Sequence, residues 1–213
     1  MPDSPLIETL VRDLKPVRRR TATSDALILA CLFLVELALF LVFGMARPDM
    51  HAAIATPGFW WKLGSLGLIA VLGAATAIVS FDPVASPRRG LRGIALAVLL
   101  CLAAGLSIDA AHGGFSSLLA RLDWRDGIQC VIQMVLLSLP PLACLGLLMR
   151  RGAPTDAAGT ALAVGIAAAA WGAFVFVFAC PFDDPLYIAV WYTLGCGLVT
   201  IAARLALPRL LRW

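Results

Sequence analysis

A chain of 213 residues in which 61% are hydrophobic and only 14% charged, with a mean hydropathy of +0.92, lies well outside the range of water-soluble globular domains. Its formal net charge of +4 is spread over clusters too small to build the basic face that direct nucleic-acid binding requires. The segments between its apolar stretches are far below autonomous folding size, which excludes a hidden soluble domain.

The chain opens on an amphipathic pattern. Leu6, Ile7, Leu10, Val11 and Leu14 recur at the spacing of one helical face. Ser4 is placed to cap such a helix, Pro5 suits its first position, and Pro16 stops it before Arg18-Arg19-Arg20. A helix this short is not stable alone in water, so its apolar face needs a partner. The bilayer surface, the protein's own loops and the groove of a second protein all fit, and periodicity does not choose among them.

Six apolar windows follow, at 26–46, 59–81, 93–108, 127–149, 157–179 and 186–207. Backbone polar groups at membrane depth must be satisfied internally, so these spans are helices. The expected fold is all-α: a polytopic bundle of six transmembrane helices (residues 23–213) behind a short amphipathic cytoplasmic helix (residues 1–22). More than twenty polar and amphipathic residues precede the first window, which is also too long for the apolar core of a cleavable signal.

Charge sets the expected orientation. Arg12, Lys15, Arg18, Arg19, Arg20, Arg88, Arg89, Arg92, Arg150, Arg151, Arg204, Arg209 and Arg212 fall on one side of the spans, and Arg47, Lys62, Arg121 and Arg125 on the other. Such asymmetry in short loops is the positive-inside pattern, and it places both termini, with the second and fourth loops, in the cytoplasm.

Polar groups inside the spans are few. Glu36 lies mid-span, where an ionised carboxylate costs about 2.5 to 3.5 kcal/mol, so it should face the bundle; Gln129 and Gln133 are candidate partners by residue type. Lys62 and Arg204 sit near span ends and are expected to snorkel to the interface. Pro140-Pro141 predicts a kink in the fourth span. Gly159, Ala163 and Ala167 permit close helix contact in the fifth, while Trp60, Trp61, Trp191, Tyr187 and Tyr192 read as an interfacial belt.

Six cysteines, at 31, 101, 130, 144, 180 and 196, include no CxxC pair, which argues against a quinone-coupled disulfide oxidoreductase or a zinc-ribbon site. Four lie within spans as small packing groups. Cys130 and Cys180 fall at the periplasmic surface at the ends of adjacent antiparallel helices. Free thiols, a disulfide, or a soft-metal site helped by Asp183, Asp184 or His112 are the three open states of that pair.

The opening Leu6-Ile7-Glu8-Thr9-Leu10-Val11-Arg12-Asp13-Leu14-Lys15-Pro16-Val17 resembles the "LI..L..DL.PV" start of the NrsF family of bacterial membrane anti-sigma factors. Further matches are Pro87-Arg88-Arg89-Gly90, the loop from Arg150 to Thr155, the Cys180-Pro181-Phe182-Asp183-Asp184-Pro185 turn with Trp191-Tyr192, and the terminal Leu211-Arg212-Trp213. The resemblance runs the length of the chain. It implies a protein that holds an extracytoplasmic-function (ECF) sigma factor inactive at the inner membrane through its N-terminal segment. Leu6, Ile7, Leu10, Val11, Asp13, Leu14 and Pro16 would form that contact. It also implies sensing of heavy metals and oxidants by Cys130 and Cys180, with a soft metal as one ligand of the pair.

Neither an enzyme nor a cofactor is expected, because His51 and His112 both fall outside and no nucleophile constellation shares a compartment with them. The competing expectation is a small transporter or channel that uses Glu36 as an ion or proton site, which would require further polar residues along a path.

Overall fold

The computed structural model describes residues 20–112 and 122–210, which form seven helices and no strand among them. These are α1 (Ala22–Val42), α2 (Met50–Ile54), α3 (Pro57–Ser80), α4 (Arg88–His112), α5 (Trp124–Arg151), α6 (Ala157–Phe176) and α7 (Pro185–Leu210). All but α2 are long and apolar enough to cross a membrane. The expected amphipathic helix with its sigma-contact residues Leu6 to Pro16 lies outside the described residues, as does the side chain of His112.

Side-chain capping sets the helix starts. Thr21 accepts from the Ser24 amide at 3.3 Å, Thr56 from Phe59 at 3.3 Å with Pro57 behind it, and Asp156 from Gly159 at 2.9 Å. The first span therefore begins and ends four residues earlier than hydropathy alone places it: Thr21 starts it, and Gly44, at φ +68°, turns the chain out of the helix. Conversely α4 runs beyond the expected 93–108 at both ends, since polar residues such as Arg88 end the hydrocarbon segment without ending the helix. The helix α5 continues through Pro140 and Pro141.

The hub is α6. In its most apolar window 72% of residues are buried inside the protein, against 17% for α1 and 11% for α4. It reaches its neighbours through glycine: a Cβ on Gly73 of α3 would sit 2.9 Å from the Ala167 backbone, one on Gly165 would sit 2.8 Å from Cα of Thr200 in α7, and one on Gly172 would sit 2.6 Å from the Ser138 amide nitrogen in α5. Absent side chains let backbones approach where no hydrophobic effect drives helices together. The alanines between, from Ala161 to Ala173, are buried for the same reason.

Two apolar clusters result, one at each end of the bundle. Ala77, Phe81, Leu145, Met149, Val164 and Leu207 build the first, which we call the Arg20 end. Here the Arg20 side chain pairs with Asp25, donates to the Ile78 carbonyl at 3.0 Å and stacks over the Phe81 ring at 4.9 Å. The Phe81 carbonyl in turn accepts from the Ala153 amide at 3.1 Å, tying the loop before α6 to the same spot. Phe59, Met134, Phe176, Tyr187 and Tyr192 build the second cluster, the Cys180 end.

Gly172→Val should lower stability by about 1 to 3 kcal/mol, because the added atoms meet backbone that no rotamer change relieves. Gly64→Ala, where a Cβ meets nothing within 4 Å, should shift it by less than about 0.5 kcal/mol. Thermal unfolding of both variants in detergent checks the contrast.

Candidate functional site

The turn from α6 to α7 places Cys180 at its centre. After Phe176 the chain makes one further hydrogen-bonded turn, with the Cys180 amide donating to the Phe176 carbonyl at 3.0 Å, and Pro181 ends it. Cys130 approaches from the second turn of α5. The two cysteines lie 4.2 Å apart, both buried and both free thiols. The Cys130 sulfur is 3.4 Å from the Tyr187 hydroxyl, and the Cys180 thiol points at the Phe182 carbonyl at 3.7 Å. Beside Cys180 lies the buried Tyr192 hydroxyl, which has no hydrogen bond of ordinary length.

Two buried cations hold this turn. Lys62 of α3 is fully shielded; its Nζ donates to the Phe182 carbonyl at 2.9 Å, pairs with Asp183 Oδ1 at 2.9 Å and reaches the Cys180 carbonyl at 3.5 Å. Arg47 bonds the Cys180 carbonyl at 3.0 Å and Asp183 Oδ2 at 2.7 Å through one nitrogen, and grips both oxygens of Asp49 at 2.7 Å through the other two. Its own backbone amide donates to the Phe178 carbonyl at 2.8 Å. Asp183 thus bridges two buried cations, sharing Arg47 with Asp49 and supplying the counter-charge of Lys62.

Electrostatics follow from that arrangement. The bidentate hydrogen bonds from Arg47 bring the Asp49 carboxyl down to about 2. The Cys180 thiol is pulled down to about 6, first by the Cys130 thiol beside it and then, against the opposing effect of burial, by the Lys62 ammonium. A thiolate at Cys180 next to a thiol at Cys130 is an arrangement suited to thiol exchange, oxidation or soft-cation capture.

Several expectations are corrected here. Lys62 does not snorkel: its ammonium turns inward because the Phe182 carbonyl and Asp183 offer it partners that the interface does not. Tyr187 and Tyr192 are not belt anchors but part of the buried cluster round the cysteines, and Trp61 is half-buried, donating to the Cys101 carbonyl at 2.8 Å. Trp60 does lie exposed as expected. Gln129 and Gln133 are exposed on the outer face of α5. The partner of Glu36 is instead Trp171 of α6, whose indole nitrogen donates to Oε2 at 3.0 Å while its ring stacks on Phe33 at 3.9 Å.

The expected chemistry of the turn is partly reassigned. Asp183 serves as a counter-ion, and Asp184 accepts from the Leu186 amide at 2.9 Å to start α7. Among the described residues no group of three or more His, Cys, Asp or Glu side chains is placed to hold a metal. A cavity of about 610 Å³ lies between α3, α4, α6 and α7, bordered by residues such as Ile69, Val98, Ile188 and Cys196. Its wall is apolar and does not include Glu36, so it offers that residue no ion path.

Sequence reasoning missed Arg47 and Lys62 as parts of the site. The signal was present: they are two of only four cations on the less basic side, and the Cys-Pro-Phe-Asp-Asp-Pro turn carries acidic residues on that same side.

Comparison with known proteins agrees with this architecture. Residues 10–213 match the model of the NrsF family, described as negative regulator of sigma F. The anti-sigma-F factor NrsF of Caulobacter vibrioides (strain NA1000 / CB15N) is 32% identical over 179 residues, covering 83% of each chain. A probable anti-sigma-F factor NrsF of Azospira oryzae (strain ATCC BAA-33 / DSM 13638 / PS) is 29% identical over 178 residues, covering 82% of each. No solved structure matches the chain. A match to the family model along nearly the whole length, with a relative above 30% identity, establishes that the chain belongs to the NrsF family of negative regulators of sigma F.

Proposed function

We propose that this anti-sigma factor holds an ECF sigma factor at the cytoplasmic face of the inner membrane through residues 1–22. It releases that factor when Cys130 and Cys180, at the periplasmic side, are oxidised or bridged by a soft metal ion. The single observation that carries the sensing half is the meeting of Cys130 and Cys180. Fifty residues apart in sequence, they stand 4.2 Å apart beside the buried Lys62.

The pair suits both classes of stress signal. Two thiols lose two protons and two electrons to a two-electron oxidant and form one S–S bond. Two sulfurs at this separation also suit a soft cation taken in near-linear coordination, with no third ligand required. Burial by protein on all sides filters access to small or diffusible agents. A regulatory protein needs no turnover at this site, only two states with different affinity for its partner.

The binding half rests on the amphipathic pattern and the family. Leu6, Ile7, Leu10, Val11 and Leu14 present one apolar stripe, suited to a groove on the sigma factor, with Asp13 at its polar rim and Pro16 ending the helix. Only the apolar anchors need be buried for micromolar to nanomolar affinity. The placement of Arg18-Arg19-Arg20 on the cytoplasmic side follows from the positive-inside pattern.

The intact protein should retain sigma factor in a pull-down, and a variant lacking residues 1–20 should lose it; undiminished capture by the shortened variant excludes the segment as the binding element. Replacing Cys130 and Cys180 by Ser should abolish induction of sigma-dependent transcription by a two-coordinate soft ion such as Hg²⁺ or by the thiol oxidant diamide. A double variant that still responds like wild type removes the sensing proposal. In purified protein, the ultraviolet absorbance of one thiolate should grow as pH rises past about 6, vanish in Cys180→Ser and move to higher pH in Cys130→Ser.

A further inference from the structure

The two ends of α3 take part in the two places where a signal would enter and leave. At one end Lys62 is fully buried, and its partners are the Cys180 carbonyl, the Phe182 carbonyl and the Asp183 carboxylate. All three belong to one four-residue stretch of the Cys180 turn. At the other end the Ile78 carbonyl and the Phe81 ring hold Arg20, the residue that joins the N-terminal segment to α1. Ile78 lies sixteen positions after Lys62 along uninterrupted helix, roughly 24 Å at the usual rise.

We propose that α3 is the element that transmits the state of the cysteine pair to the N-terminal segment, pulled through Lys62 at one end and releasing Arg20 at the other. The proposal rests on the thiol-switch reading above and names its route. When the Cys130 and Cys180 thiols are oxidised, two S–H bonds break, one S–S bond forms, and two electrons and two protons pass to the oxidant. The sulfurs must then close from 4.2 Å to bonding distance, and the Cys180 turn moves with its sulfur. Because the hydrogen-bond and ion-pair partners of the Lys62 ammonium all ride on that turn, α3 must follow or leave a buried ammonium without its counter-ion, which is the more costly outcome.

The surface along which α3 would shift is smooth. Ala70, Gly73 and Ala77 are buried and small, and Gly73 lies against the Ala167 backbone with no side chain between. From Ala70 to Ala77 the buried positions of α3 carry nothing larger than a methyl group, and the larger groups, Leu66 and the Phe174 ring over Gly67, lie towards the Cys180 end. At the Arg20 end, the partners are divided between elements: Asp25 belongs to α1, whereas Ile78 and Phe81 belong to α3 and the residue following its last turn. A small axial shift of α3 against α1 therefore separates the two halves of the Arg20 clamp. Alternatives that route through α5 or α7 meet no comparable polar contact with α1 among the bonds of the described residues.

The test uses the full chain in nanodiscs, with diamide as the oxidant, which becomes the corresponding hydrazine, and the disulfide followed by intact mass. Trypsin can cut after Arg20 only when its side chain leaves the clamp. Oxidation of wild type should raise cleavage at Arg20, relative to Arg18 and Arg19, on the order of tenfold, and Lys62→Gln should oxidise without that rise. An unchanged cleavage ratio in oxidised wild type, a full rise in Lys62→Gln, or a pair that stays reduced in excess diamide each overturns the relay.

Hydrogen exchange on wild type gives a test without substitution, should Lys62→Gln fail to fold. Protection at residues 76–82 and 151–154 should fall on oxidation, and an unaltered pattern there again overturns the relay. Sigma capture, read on the same samples, separates the two levels. Oxidised wild type that keeps its sigma factor refutes the switch, whereas release of sigma with an intact Arg20 clamp refutes only the role of α3.

Discussion

An ammonium group with no access to solvent is the constraint round which one end of this protein is organised. Lys62 can be buried there only because the chain returns 120 residues later with two carbonyls and a carboxylate in reach. Asp183 then draws in Arg47, and Arg47 fixes the segment after α1 by its backbone and by Asp49. The turn between α6 and α7 is thereby tied both to α3 and to the segment after α1. Those ties set Cys180 opposite Cys130 and give it a cationic neighbour in a site otherwise rich in aromatic rings.

The rest of the bundle is held by different means. Its hub is an alanine- and glycine-rich helix that meets three others at glycines, where backbone atoms come close. Dispersion at close range takes over where lipid offers apolar groups as good a home as protein does. Ionic grip at one end and smooth packing in the middle are complementary properties, because the first fixes a position and the second leaves a direction of easy movement.

Much of this was legible in the sequence, and the misses share one cause. Hydropathy located all six spans, and cap residues such as Thr21 and Asp156 explain the shifts at their ends. The antiparallel order of the spans was enough to suggest that Cys130 and Cys180 share a surface. What one-dimensional reasoning could not supply was direction. A lysine near a span end points outward by default, and only the arrival of Asp183 makes inward cheaper; Tyr187 and Tyr192 look like interfacial residues until the cysteine site gives them something to cover. Glu36 was read correctly as needing a partner inside the bundle, but indole N–H groups do not announce themselves as partners, and residue type favoured glutamines that turn out to face away.

The bond between Glu36 and Trp171 also bears on how the protein is made. The two residues are 135 positions apart, and ribosomes add about 5 to 20 residues each second. The first span therefore spends on the order of 7 to 27 seconds in the bilayer before its indole partner exists. Until then its carboxyl must do without the partner it has in the finished bundle.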